Sequence, residues 1–384
     1  MKKIILVLLL IIMLPFSAQA AGAAENNLNA EENTKIERLY EYIVNMKTDY
    51  EVLKDLDARK FVSEFLKTGD GKFSVSKITR AFAAYAFKEA AAILKSMSIL
   101  IIIAIICALL NNLQQAFSND NLSNIAYFAC YALMIIILSK SFYGAVQVAR
   151  DTIYRISDFM AALIPVLMML LASVGGFTEA AVMDPIILVA INVSVKIYAN
   201  LIIPLIFMSF VLQFANNISS GFKIDKLTKL ISQVAIWTQG IMVTIFIGIV
   251  SVRGMASKTI DQVTVKTAKY AVDNFIPVIG KALSDAIASV AGYSLLLKNA
   301  LSGLGLVIIL IIAIFPIIKL LIMSFMYRLT AALIEPISDS KIVTCLSSVG
   351  NSITLVMSCV ISISIMFFIM VSIIASAGKM AVGG

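Results

Sequence analysis

The chain has 384 residues, of which 60% are hydrophobic and 14% charged. That charge fraction is far below the roughly 25% of a soluble domain, so a purely soluble fold is excluded and the chain is an all-α, polytopic membrane protein. Its formal charge is +8, yet residues 21–70 carry net −4, so the basic excess belongs to the membrane part, where it points to loops beside anionic headgroups. No basic run is interleaved with aromatics, so nucleic acid is not an expected partner.

In chain order, Lys2 and Lys3 precede the apolar run Ile4 to Phe16, and Ala18-Gln19-Ala20 follows. This is the pattern of a secretory signal peptide over 1–20, with an uncleaved anchor as the alternative. Either way residue 21 starts outside the cytoplasm. Residues 21–95 are expected to form an extracytoplasmic helical segment and an amphipathic helix. Thr34 and Glu37 make a capping box. Ile36, Leu39, Ile43, Met46, Tyr50 and Leu53 then form a narrow apolar seam. The seam would pack on the next helix, which carries Phe61 and Phe65, or dock another extracytoplasmic protein. Lys77 to Lys95 is amphipathic and fits the membrane surface.

Two spans are expected over 96–149, near 96–113 and 125–149. Arg150, Arg155 and Asp158 mark a charged junction after them. Three apolar runs follow over 156–253, at 159–174, 186–212 and 230–252. Residues 254–272 are too polar to cross and are expected to lie in the interface. Three more runs occupy 273–376, at 275–297, 303–325 and 343–375. The first of these holds Lys281, Ser284 and Asp285 and could be re-entrant. The last has Gly350 and Asn351 near its start, as a half-helix entry would. The total is about 7–8 spans.

The two sets of runs echo each other. Pro165 and Pro277, in Ile-Pro-Val triplets, are 112 residues apart, and so are Pro204 and Pro316. Met208-Ser209-Phe210 recurs as Met323-Ser324-Phe325. This suggests an internal duplication of a proline-broken unit, repeat A over 156–253 and repeat B over 273–376. If each copy crosses three times and the linker does not cross, the copies are inverted, as in many transporters. The positive-inside rule does not settle this, because an eight-span topology puts six Lys/Arg in inside loops and eight outside.

Candidate polar-path or helix-break residues are Pro165, Lys196, Pro204, Pro277, Lys281, Asp285, Pro316 and Lys319. A proline frees a carbonyl that must face protein or water, and a lysine in an apolar run is costly unless it is paired or snorkels. Lys281 and Asp285, at i and i+4, could pair. Packing kinks and headgroup contacts are the plainer reading. With no histidine, the commonest general base and metal ligand is missing. Cys107, Cys130, Cys345 and Cys359 sit in apolar runs with no Cys-x-x-Cys. No phosphate loop, nucleophile elbow or zinc helix occurs. No catalytic residue, cofactor site or metal site is expected, and the chain is not read as an enzyme.

The stretches Asn274-Phe275-Ile276-Pro277-Val278-Ile279-Gly280-Lys281-Ala282-Leu283-Ser284-Asp285 and Ser294-Leu295-Leu296-Leu297-Lys298-Asn299-Ala300 resemble the stage III sporulation protein AE family of endospore-forming bacteria. The resemblance runs over nearly the whole chain. It implies a multi-pass protein of the mother-cell membrane around the forespore, in the channel complex that joins the two cells and keeps the forespore developing. It also implies partners: the other proteins of the third-stage sporulation operon, with ring-forming and ATPase-like members, and a forespore membrane protein. The alternative is an inverted-repeat secondary transporter of a small solute.

Overall fold

The computed structural model describes residues 34–46, 57–68, 75–116, 120–174, 177–218, 224–275 and 280–377. Among them every regular element is helical: α1 (34–46), α2 (Ala58–Thr68), α3 (Val75–Ala116), α4 (Asp120–Ser173), α5 (Phe177–Ile197), a π-helical turn (Tyr198–Ile202), α6 (Ile203–Ile218), α7 (Asp225–Phe275), α8 (Gly280–Ile334) and α9 (Ser340–Ser376). Six stretches are long and apolar enough to cross a membrane: Phe82–Leu110, Tyr131–Ser173, Pro185–Ala215, Asp225–Val252, Ala291–Ile334 and Ser340–Ser376. The signal-peptide stretch lies outside the described residues, as do Tyr50, Leu53 and Pro277.

Eight apolar runs thus resolve into six helices, because two pairs merge. The charged junction at Arg150–Asp158 is not a loop. It continues α4, which has no glycine or proline between Ala145 and Ile164. The runs at 275–297 and 303–325 share α8, 55 residues or about 80 Å long. That is far more than the hydrocarbon thickness of about 30 Å, so α8 also extends beyond it. Nor does α9 enter as a half-helix, since Gly350 lies inside its continuous 37 residues. Pro165 and Pro316 are within the helices they were expected to break. Pro204 does disturb its helix. It has no N–H to give the carbonyl four residues back, and the preceding turn is wound as π, with the Ile203 N–H bonded to Tyr198 O.

The contacts fix direction. Lys298 of α8 reaches the end of α9, while Ser324 meets Gly350, so α8 and α9 form an antiparallel hairpin. Gln239 of α7 meets Ser358 of α9, and Phe246 meets Phe367, so α7 and α9 are parallel. Ser209 of α6 meets Thr228 near the start of α7. Hairpin α6–α7 therefore runs the same way as hairpin α8–α9. The expected inversion does not hold for these two hairpins, which are parallel, because with two runs joined in α8 the matching serines lie two candidate spans apart.

The N-terminal seam is covered from within the chain. Ile36, Leu39, Ile43 and Met46 are buried, as are Phe61 and Val62 of α2. Tyr42 packs on Phe159 of α4, with ring centroids 6.2 Å apart. Arg59 of α2 pairs with Glu37 of α1 and lies 5.4 Å over the Tyr40 ring. That part of the seam is a packing face and not a free docking face. Burial pushes the Tyr40 hydroxyl up to about 12, against the opposing pull of the Arg59 guanidinium.

Candidate functional sites in the membrane core

Helix α9 is the hub of the bundle. Its sequence places Gly350, Thr354, Ser358 and Ser362 four residues apart, a spacing that draws one polar stripe along a helix. The stripe meets three neighbours in turn. At its start Ser324 of α8 donates to Gly350 O at 2.8 Å, and its Oγ is 2.8 Å from Thr354 Oγ1. Arg328 of α8 donates to Thr354 Oγ1 at 3.0 Å. One turn on, Ser358 donates to Gln239 Oε1 of α7 at 3.0 Å. The buried Tyr198 of the π turn lies beside Ser362.

Gly350 is needed where α9 touches α8. A Cβ there would stand 2.8 Å from Arg328 Cγ and 3.0 Å from Ser324 O. Gly305 of α8 makes a second close approach, against Leu163 of α4. Small residues at such crossings let backbones approach, and hydroxyls then bond across the gap, each worth about 0.6 kcal/mol on average within a membrane. The stripe is thus a helix-joining seam of hydroxyls and one amide, with the Arg328 guanidinium donating at its start. It has the chemistry to hold helices in register.

The same clamp occurs twice. Ser209 of α6 donates to Thr228 O at 3.2 Å and lies 2.6 Å from Ser232 Oγ. In both places a Met-Ser-Phe serine bonds a carbonyl and, four residues later, a hydroxyl on the following helix. Sequence matching found the serines; it did not find their partners, which differ in identity.

The charges divide in three. Lys319 of α8 donates to Glu89 of α3 at 3.4 Å, and the two are 34% and 17% exposed. Next to it Phe82 and Tyr85 of α3 pack on Phe315. This is a pair across two spans, which is how a lysine at membrane depth is accommodated. Lys196, in contrast, is exposed in the last turn of α5, just before the π turn. Lys281 and Asp285 fall in the first turns of α8, with side chains outside the described set. The structure brings Lys196, Pro204 and the π turn together. Pro165 and Pro316 are half-buried on other helices and do not join them.

Sequence reasoning took Lys298 for a loop residue. It is fully buried, and its Nζ donates to Ile374 O at 3.2 Å, Ala375 O at 3.3 Å and Ala377 O. These carbonyls close the end of α9, where Ile374 O also accepts from the Ala377 N–H, and the lysine charge meets the negative end of the helix dipole. The only available signal was the lysine's place in an otherwise apolar stretch.

The comparisons with known proteins bear on this bundle directly. The model of the family described as stage III sporulation protein AE matches residues 56–378, which takes in all six candidate spans. The chain belongs to that family. Stage III sporulation protein AE of Bacillus subtilis (strain 168) is 34% identical over 373 residues, covering 94% of this chain and 93% of the relative. No solved structure matches. The α9 seam, the Lys298 cap and the Lys319–Glu89 pair all lie within the matched region, so they belong to the part that carries the family likeness.

Proposed function

We propose that the chain is a membrane subunit of the complex that links mother cell and forespore during sporulation, and that it works by assembly and passage. The observation that carries this is the family match over the entire six-helix region. The interior supports it, being joined by hydroxyls, one amide, a lysine that caps α9, the Arg328–Thr354 contact and the Lys319–Glu89 pair, the equipment of a scaffold. The expected partners are the other proteins of the third-stage operon, with ring-forming and ATPase-like members, and a forespore membrane protein. The expected location is the mother-cell membrane around the forespore, with residue 21 onward outside the cytoplasm. The chain is not an enzyme on this reading. Repeats A and B are parallel copies of one hairpin unit, a reading supported by the two serine clamps.

The test is twofold. Affinity isolation of the full chain from sporulating cells should recover the ring-forming and ATPase-like proteins. The pure chain in liposomes should show no saturable, ion-coupled uptake. Uptake by the chain alone, with no partners recovered, would make it a secondary transporter instead.

A further inference from the structure

Helix α4 has two unlike faces between Lys140 and Asp158. Phe142, Ala145, Val146, Ala149, Ile153 and Ile156 are buried against the bundle. The outward side presents Lys140, Tyr143, Gln147, Asp151, Tyr154 and Asp158, at spacings of three or four that draw one stripe. Gln147 alone is half-buried, and its amide donates to the Tyr143 hydroxyl at 2.6 Å.

This stripe is level with apolar, outward surface elsewhere. Tyr131 of α4 meets Cys345 of α9, and Leu163 of α4 reaches Gly305 of α8, two turns from the Lys298 that caps α9. Ser358 of α9, bonded to Gln239 of α7, lies between those levels. There α7 turns Trp237 (70% exposed) and Ile241 (58%) outward. The same layer of the molecule is therefore apolar on its α7 side and charged on its α4 side. A charged side chain at membrane depth faces protein or water, because acyl chains solvate it poorly.

We propose that the exposed face of α4 from Lys140 to Asp158 is the wall of a water-filled lumen closed by further copies of this chain. One chain supplies only a wall, so closure needs other subunits. The face mixes signs, with Lys140, Arg155 and the half-buried Arg150 against Asp151 and Asp158, so copies can surround a common lumen without building up a strong one-sign field. The inference deepens the conduit reading above and rests on it. Its test reads water and neighbours, not sporulation, so loss of the lumen and loss of the partners are told apart.

The experiment uses the full chain in its membrane, with the four native cysteines replaced by alanine and membrane abundance checked for each variant. Single cysteines replace Tyr143, Gln147, Asp151 or Tyr154 on α4, and Trp237 or Ile241 on α7. The probe is a trimethylammonium methanethiosulfonate, which is excluded from hydrocarbon. The α4 positions should react roughly a hundredfold faster than the α7 positions, the penalty for one charge at mid-bilayer. A bifunctional thiosulfonate should join two copies through Gln147→Cys. Equal, slow reaction on both helices would overturn the lumen. Fast reaction on α4 with no copy-to-copy product would overturn closure by this chain and assign it to another protein.

Discussion

Gly350→Ala is the most decisive small change in the bundle. In an ordinary helix interior the substitution gains about 1 kcal/mol of helix propensity. At this position the new methyl would stand 3.0 Å from Ser324 O, an atom of helix backbone that cannot swing aside, and 2.8 Å from Arg328 Cγ, which can. Forcing α8 and α9 apart costs about 1–3 kcal/mol by the usual scale of overpacking. The Ser324–Gly350 bond would stretch with it, a further loss of about 0.6 kcal/mol. The net is a destabilisation of about 1–2 kcal/mol, or a fall of a few degrees in melting temperature. Gly240→Ala is the control, because nothing lies within 4 Å of a Cβ there and only the propensity gain applies. The assay is thermal unfolding of detergent-solubilised protein followed by size-exclusion chromatography. Repeating it in an Arg328→Ala background removes the yielding contact and leaves the backbone one. If Gly350→Ala is as stable as the parent chain in both backgrounds, the α8–α9 contact is looser than described and the reasoning fails.

Lys298→Met should remove three donations to the end of α9 and expose 370–377 to proteolysis while leaving the α8–α9 tip intact; an unchanged digestion pattern would show that the cap does not hold the helix. In a double-mutant cycle, Lys319→Met and Glu89→Gln should each destabilise more than the pair together, since either alone strands a charge at membrane depth; additive effects would mean the two do not interact. Tyr40 holds its proton more tightly when folded, with its pKa raised from 10.0 to about 12. Its contribution is therefore complete below pH 10 and lost as pH rises toward 12. Alkaline titration of the N-terminal packing should show that loss in the parent chain, and Tyr40→Phe should abolish it.

Much of the membrane fold was legible in the residues. The apolar runs at 186–212, 230–252 and 343–375 match helices, and Ile36, Leu39, Ile43 and Met46 pack inward as their spacing demands. What misled was polarity that other parts of the chain or the exposed surface accommodate. Arg150 to Asp158 looks like a loop because charges usually end a span, yet α4 runs through them with Asp151, Arg155 and Asp158 exposed and Arg150 half-buried. Lys298 looks like another span end, and its carbonyl partners lie some 76 residues away in the sequence. Both errors split one helix into two. Splitting α8 changed the parity of candidate spans, and that alone made the proposed repeats seem inverted. The α9 stripe was present as Gly350, Thr354, Ser358 and Ser362, but small hydroxyl residues in an apolar run give almost no hydropathy signal.

The side on which each helix turn emerges tests the six-helix account most directly. Impermeant thiol labelling of single cysteines at Lys226 and Ile337, in sealed cells and in inverted vesicles, reads that side. The parallel hairpins place these two on one face of the membrane, with cysteines at Val252 and Ser376 together on the other. Finding Lys226 and Ile337 on opposite faces would contradict the account and restore an inverted arrangement.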